Sequence, residues 1–319
     1  MMLKTKMIML CWLFAIIISG CSSQTVSTEV KTDQNGGVMI TDHAERTVKF
    51  NEPPERIVSL AQGDLEIVYQ LGGNIVGRPT ARIQPLKELA EVEQVGTAHD
   101  VDFEKVVSLK PDLVIGHADL NRKDISTAES LGLKLFLTNG NQFEQIVEMI
   151  DQYGTILERK NEASRLIANI QQKREAIEAD PLPREIKALI VYGTTESFMA
   201  ALPSSLSGNL LDIAGGQNIA DGLPKVEHYP DYAQLSMEHV IAKDPDVIYF
   251  ITHGEPEAVK EKFEQELRAN PAWRGVKAFK NDQFIFLPFE LFGSSPGPKV
   301  GESLTFLKES LDQVAVKGE

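Results

Sequence analysis

The chain has 319 residues, a formal net charge of -14 and two cysteines. That charge argues against nucleic acid and against adsorption to anionic lipid headgroups, both of which attract cations. The length leaves room for one large domain or two of ordinary size.

Residues 1–20 read as a lipoprotein signal peptide. Lys4 and Lys6 precede an apolar run over 7–18, and Ile18-Ser19-Gly20 leads into Cys21. The run is short for a bilayer span, which takes about 20 residues. A basic start, a short apolar centre and small residues ahead of a cysteine mark an export signal that is cleaved. The expected mature chain begins at Cys21, carries palmitate there, and sits outside the cytoplasm, anchored to the cell membrane. It keeps no thiol for a disulfide, redox chemistry or a metal thiolate. Residues 21–37, rich in Ser, Thr, Asp and Gly, read as a flexible, unstructured tether.

Residues 37–50 alternate apolar and polar side chains and predict a hairpin. A strand over 56–60 leads into a helix over 64–71, closed by Gly72-Gly73, and a strand over 74–77 follows. A helix from Phe103, a strand over 113–115, a helix near 123–131 and a strand over 134–137 continue the alternation. Strand and helix taking turns imply a parallel sheet with crossover helices. From 142 to 179 the spacing is helical, with Ile146, Met149, Ile150, Tyr153, Ile156, Leu157, Leu166, Ile167 and Ile170 in step. Gly154 interrupts that segment, and Pro181 and Pro183 end it. The strand–helix pattern resumes at 186–192.

One stretch occurs twice. FEKVVSLKPDLVI from Phe103 parallels MEHVIAKDPDVIY from Met237, with Glu, Val, Pro and Asp in register and an apolar strand after each. A repeat on each side of a helical spacer predicts two similar α/β lobes: an N-terminal lobe over 38–141, a bridging helix over 142–180 and a C-terminal lobe over 181–319. The sequence holds no phosphate-binding Gly-rich loop, Gly-x-Ser-x-Gly elbow or His-Glu-x-x-His pair, so nothing in it argues for an enzyme.

The lipobox, ERIVSLAQGDLEIVYQLGGNIVG, VDFEKVVSLKPDLVIG, the helical spacer, LSGNLLDIAGGQNIA and LSMEHVIAKDPDVIYF come in one order. Together they resemble the substrate-binding proteins of bacterial iron–siderophore, haem and cobalamin ABC importers. The resemblance covers nearly all of the mature chain. It implies two α/β lobes joined by a single long backbone helix, the class III arrangement of periplasmic binding proteins, with ligand in the interlobe cleft. IVGRPTARIQPLKELAEVEQVG, SFMAALPSSLSGNLLDIAGGQNI and THGEPEAVKEKFEQELRANPAWRGVKAFKNDQ are most similar to the Isd-type haem receptors.

That likeness implies a lipid-anchored receptor that captures haem b and hands it to a permease and its ATPase, supplied by an upstream haem donor. A ferric siderophore is the alternative ligand, and a monomer is expected. In the Isd-type receptors a histidine before glycine, at the end of a C-lobe strand, is an axial haem ligand, and His253-Gly254 matches it. The opposing ligand comes from an N-lobe loop just ahead of the Glu helix. The relatives have methionine there and this chain has His99, also an axial ligand type. His117, Tyr232 and His228 are alternative ligands, whereas His239 and His43 read as structural or exposed.

A haem site also needs apolar walls, for which Phe198, Met199, Phe289, Leu291 and Phe292 are candidates, and cations for the propionates, for which Arg78 and Arg82 are candidates. In cobalamin and siderophore relatives one acidic residue per lobe meets permease arginines. The resemblance assigns Glu104 in the first lobe and Asp212, ahead of Gly215-Gly216, in the second.

Overall fold

The computed structural model describes residues 30–32, 36–80, 86–193, 197–252, 258–259, 261–263, 265 and 271–317. The expected signal peptide, Cys21, most of the tether, Arg82 and His253 lie outside the described residues.

The hairpin predicted over 37–50 forms from β2 (Val38–Thr41) and β3 (Thr47–Phe50), paired Val38 to Phe50. Residues expected in the tether form β1 (Val30–Thr32), which pairs antiparallel with β2. An exposed strand edge carries a row of unpaired N–H and C=O groups, and β1 satisfies the one that β2 would offer.

The first lobe is a parallel sheet in the order β6-β5-β4-β7-β8. Its strands are β4 (Ile57–Ser59), β5 (Ile75–Arg78), β6 (Glu93–Gln94), β7 (Leu113–His117) and β8 (Leu135–Thr138). Helices α1 (Gln62–Gln70), α2 (Phe103–Ser108), α3 (Ala118–Asn121) and α4 (Ile125–Ser130) connect them. Both sheet faces are covered, so β4, β7 and β8 are nearly continuous apolar runs.

The segment expected to bridge the lobes as one long or slightly broken helix is two helices, and the second is the long helix that joins the lobes. α5 (Phe143–Ile156) and α6 (Lys160–Glu178) fold back on one another. Gly154 lies against Ala163 near the turn, and Arg174 covers the Phe143 ring and pairs with Glu144 at the far end. The turn rests on Glu158, which takes φ +56° with neither Gly nor Pro beside it. Gly154, expected to interrupt the helix, instead lets the two helices touch: a Cβ there would stand 2.4 Å from that of Ala163. A straight helix over the whole segment would be about 57 Å long. Folding back lets α5 bury Ile146, Met149, Ile150 and Tyr153 against the first lobe, while α6 carries the chain across to the second.

The second lobe carries a mixed sheet in the order β12-β13-β10-β9-β14-β15, with β11 pairing alongside the start of β9. Its strands are β9 (Lys187–Gly193), β10 (Phe198–Ala201), β11 (Gln217–Asn218), β12 (Lys225–Val226), β13 (Tyr229–Gln234), β14 (Val247–Thr252) and β15 (Phe284–Phe286). Its helices are α7 (Leu206–Ile213), α8 (Met237–Lys243), α9 (Lys277–Lys280), α10 (Phe289–Phe292) and α11 (Val300–Lys317). α11 packs along α6, where buried Lys308 pairs with Asp180 at 3.0 Å and Asp312 at 2.7 Å.

The sequence repeat proves to be a repeated turn. Lys110 before Pro111 and Asp244 before Pro245 both adopt the left-handed conformation, at φ 49° and 50°. Asp112 accepts hydrogen bonds from the Glu55 and Arg56 amides, and Asp246 accepts one from the Lys187 amide. Each Pro-Asp therefore anchors the first strand of its own lobe beside the strand that follows the turn.

Candidate ligand cleft

The carboxyl ends of the parallel strands in the two lobes face one another across a junction. Gly63, just past β4, meets the chain beyond β15: a Cβ on it would lie 2.6 Å from the Ser295 carbonyl oxygen. Gly140, just past β8, meets the Ser295 hydroxyl. The Phe143 amide donates to the Asn209 side chain at 2.9 Å, and Lys299 pairs with buried Glu66 at 2.8 Å. Open α/β sheets place ligands beyond the carboxyl ends of their strands, so the space above this junction is the candidate cleft.

His99 stands at the first-lobe edge of that space. It lies in a tight turn over 97–100, where the Thr97 and Asp100 backbones bond to each other in both directions. Gly96, at φ +90°, opens the turn; a Cβ there would strike the Asp100 carbonyl. The turn is also held from behind, by the Asn121 side chain on the Ala98 carbonyl at 2.9 Å and by Lys123 on the His99 carbonyl at 2.7 Å. The imidazole is exposed and makes no hydrogen bond among the described residues. A rigid backbone with an uncommitted ring suits a ligand-binding histidine. Its expected partner, His253, follows β14 directly in the chain and lies outside the described residues.

The alternative ligands fare differently. Nδ1 of His117 accepts the Asp119 amide at 3.3 Å and so caps α3. That bond puts the ring proton on Nε2, where iron would have to bind. Burial, then neighbouring Tyr192 and Asp231, hold the Tyr232 phenol well above its ordinary pKa. His228 is exposed, between β12 and β13. His239 Nε2 donates to the Ile219 carbonyl at 2.6 Å, a structural role, and His43 is largely buried, with its pKa lowered mainly by that burial.

The wall candidates divide by face. Phe198 packs edge-on against Phe263 at 5.0 Å, away from the junction, and buried Phe292 packs on Phe306, so both serve the core. Met199 shares the opposite face of its sheet with Tyr192 and Tyr232, whose rings lie 5.2 Å apart. Phe289 is half-buried beyond β15. Arg78 was expected to meet a propionate, but it is buried and turned inward, donating to the Ala90 carbonyl at 3.0 Å and the Pro79 carbonyl at 3.4 Å. The loop it holds needs those bonds, which leaves Arg82, outside the described residues, as the surviving arginine candidate.

The two acidic candidates for permease docking are not placed alike. Glu104 is exposed in the first turn of α2, whose start lies toward the cleft side of the sheet. Asp212 is near the end of α7, beside β11 and the start of β9, at the opposite pole of its lobe. Partial burial, then Asp221, raise its carboxyl to about 6. The residue equivalent to Glu104 is Glu238, exposed in the first turn of α8. Capping agrees: Asp102 receives the Lys105 amide and Ser236 the His239 amide. The sequence repeat aligns the two glutamates.

The sequence reading also missed a polar bridge at the junction. The Asn141 amide nitrogen donates to Asp119 at 3.2 Å and, across the lobes, to Asp231 at 3.1 Å. Burial, then the Asp119 charge, raise the Asp231 carboxyl against the opposing influence of Ser204, Lys225 and His117.

The family profile described as "Periplasmic binding protein" matches residues 57–291. The chain belongs to this family. It is 28% identical over 235 residues to the high-affinity heme uptake system protein IsdE of Staphylococcus aureus, spanning 73% of this chain and 79% of that one. The S. aureus IsdE structure complexed with heme superposes with a TM-score of 0.71 at 26% identity, covering 81% of this chain and 98% of that one. An ABC transporter substrate-binding protein from Listeria monocytogenes EGD-e superposes with a TM-score of 0.72 at 25% identity, covering 82% and 100%. The chain is thus a solute-binding protein of an ABC importer, with two α/β lobes. Among the described residues no helix is long and apolar enough to cross a membrane.

Proposed function

We propose that the protein is a lipid-anchored haem receptor, held outside the membrane through Cys21, that takes haem b into the interlobe cleft and delivers it to a permease. His99 and His253 bind the iron from opposite walls. The observation that carries this reading is the exposed imidazole of His99 on a turn pinned from behind, in a chain 28% identical to a haem-uptake protein. Histidine in place of the relatives' methionine keeps a strong axial donor for ferric iron.

Titration of the purified protein with haemin tests the reading. The expected result is a saturable Soret shift and a low-spin ferric spectrum. A mainly high-spin complex would overturn the bis-histidine site, and no Soret change would overturn the haem reading.

A ferric siderophore is the second reading, favoured by Tyr192, Tyr232 and exposed Tyr229 close together on the second lobe. Phenols and amides suit a metal complex whose coordination is already saturated. Fluorescence quenching by a ferric siderophore, with no response to haemin, would select it.

For delivery, Glu104 and Glu238 are the docking pair that the repeat supports, both acidic, exposed and at matching helix starts.

A further inference from the structure

The Asp119–Asn141–Asp231 bridge lies outside the haem-binding set and connects the two lobes directly. One NH2 group with two protons serves two carboxylates, one from α3 and one from β13. Asn139 supports the arrangement: its backbone carries the next turn, with its side-chain oxygen accepting the Asn141 amide at 3.1 Å. The same loop makes two further cross-lobe contacts, Gly140 on Ser295 and Phe143 on Asn209. The position is chemically unusual. Without the amide between them, Asp119 and Asp231 would be like charges facing each other across the junction, and the lobes would be driven apart.

We infer that Asn141 is a cross-lobe clasp: by donating to one carboxylate of each lobe it sets the spacing of the cleft walls, and so the rate at which a bound ligand leaves. The inference rests on the proposed cleft for its consequence, but the clasp itself belongs to the ligand-free protein. The stretch between His117 and Asn121 ties it to the ligand wall. Asp119 lies within α3, and Asn121 at the end of the same helix holds the Ala98 carbonyl of the His99 turn while its oxygen accepts the His117 amide. Opening at Asn141 is therefore transmitted to the wall that carries His99.

The polarity of the bond provides the test. Asn141→Asp replaces the donor by a third carboxylate and sets it against both partners. Asp231→Asn alone keeps an acceptor for Asn141 and removes one charge. In the Asn141→Asp/Asp231→Asn double variant the donor and acceptor exchange places, so the cross-lobe bond can form again.

Two readouts are used on the full chain. Amide hydrogen exchange of the ligand-free protein follows peptides covering 139–146, where the Phe143 amide bonds across the junction. Haem transfer to excess apomyoglobin gives the off-rate. Asn141→Asp is expected to speed exchange in those peptides and raise the off-rate about tenfold, one decade per about 1.4 kcal/mol. Asp231→Asn should stay close to the unaltered protein, and the double variant should recover most of the loss. Equal effects in the single and double Asn141 variants would overturn the clasp, as would no effect in either. If the unaltered protein takes up no haem, the haem reading fails, while the exchange pattern of the ligand-free variants still decides the clasp.

Discussion

Gly63 and Gly297 bring the backbones of the two lobes into contact: a Cβ on Gly297 would stand 2.4 Å from the Gly63 carbonyl oxygen. Gly297 also holds φ +54°, a conformation that side chains with a Cβ resist. This seam and the hairpin of α5 and α6 hold the lobes at fixed distance along one side of the cleft. Gly297→Ala faces both strain and collision, so a stability loss of about 2–4 kcal/mol is expected. Urea unfolding measures it through a lower midpoint. An unchanged midpoint would mean that the seam is loose.

The His99 turn makes a prediction about ligand chemistry. His99→Ala should lower haem affinity about tenfold or more and convert the ferric spectrum from low-spin to mixed or high-spin. His99→Met should keep a low-spin complex, because the relatives place methionine there and the pinned turn presents either side chain from the same backbone. Equal affinities and spectra in all three proteins would remove His99 from the site. The affinity is read by haemin titration and the spin state by electron paramagnetic resonance.

Much of this fold could be read from the residues. Apolar β-branched runs between helical patterns gave the parallel sheets, and the Lys110-Pro111-Asp112 and Asp244-Pro245-Asp246 turns gave the lobe symmetry. The fold-back at Glu158 was not legible, because Leu157, Glu158 and Arg159 are ordinary helix formers and only tertiary packing rewards a left-handed residue there. Arg78 misled for a related reason. Its position after a strand suggested a ligand contact, but whether a guanidinium turns inward depends on carbonyls of Pro79 and Ala90 that spacing does not reveal. Asn141 gave no signal either, since its partners lie at distant positions in the chain.

Asp64 gives the fold a pH signature. Its buried carboxyl is raised above 3.8 mainly by burial, while the Tyr153 and Thr138 hydroxyls, at 2.5 Å and 2.7 Å, pull it the other way. An acid whose folded pKa is raised holds more protons folded than unfolded, so stability is greatest below the ordinary carboxylate value and falls as pH rises through the folded one. Asp64→Asn keeps an acceptor for both hydroxyls and removes the titration. The variant should gain stability over the unaltered protein as pH rises toward neutral, with the gap closing below about pH 4. Urea midpoints across that range measure it, and a constant gap would contradict the assignment.

Docking and binding should separate cleanly. Glu104→Gln and Glu238→Gln change exposed side chains and leave the cleft untouched. Haem affinity should stay within about twofold of the unaltered protein, while stimulation of the permease's ATPase falls, most in the double variant. Asp212→Gln, at the far pole of its lobe, should stimulate normally. Loss of stimulation on changing Asp212 but not Glu238 would reverse the assignment.

The Glu66–Lys299 pair is the seam's electrostatic element. The Glu66 side chain is 4% exposed and that of Lys299 28%, and Gln62 is a further donor to the carboxylate at 3.2 Å. Removing the cation alone strands a buried carboxylate, whereas removing both charges leaves a site that neutral groups can fill. Lys299→Met should therefore cost about 2–4 kcal/mol, and Glu66→Gln/Lys299→Met distinctly less. A urea double-mutant cycle provides the comparison. Additive losses would show that the two side chains act independently. A smaller loss in the double variant would show that the ion pair exists to neutralise Glu66, which α1 buries as it enters the junction.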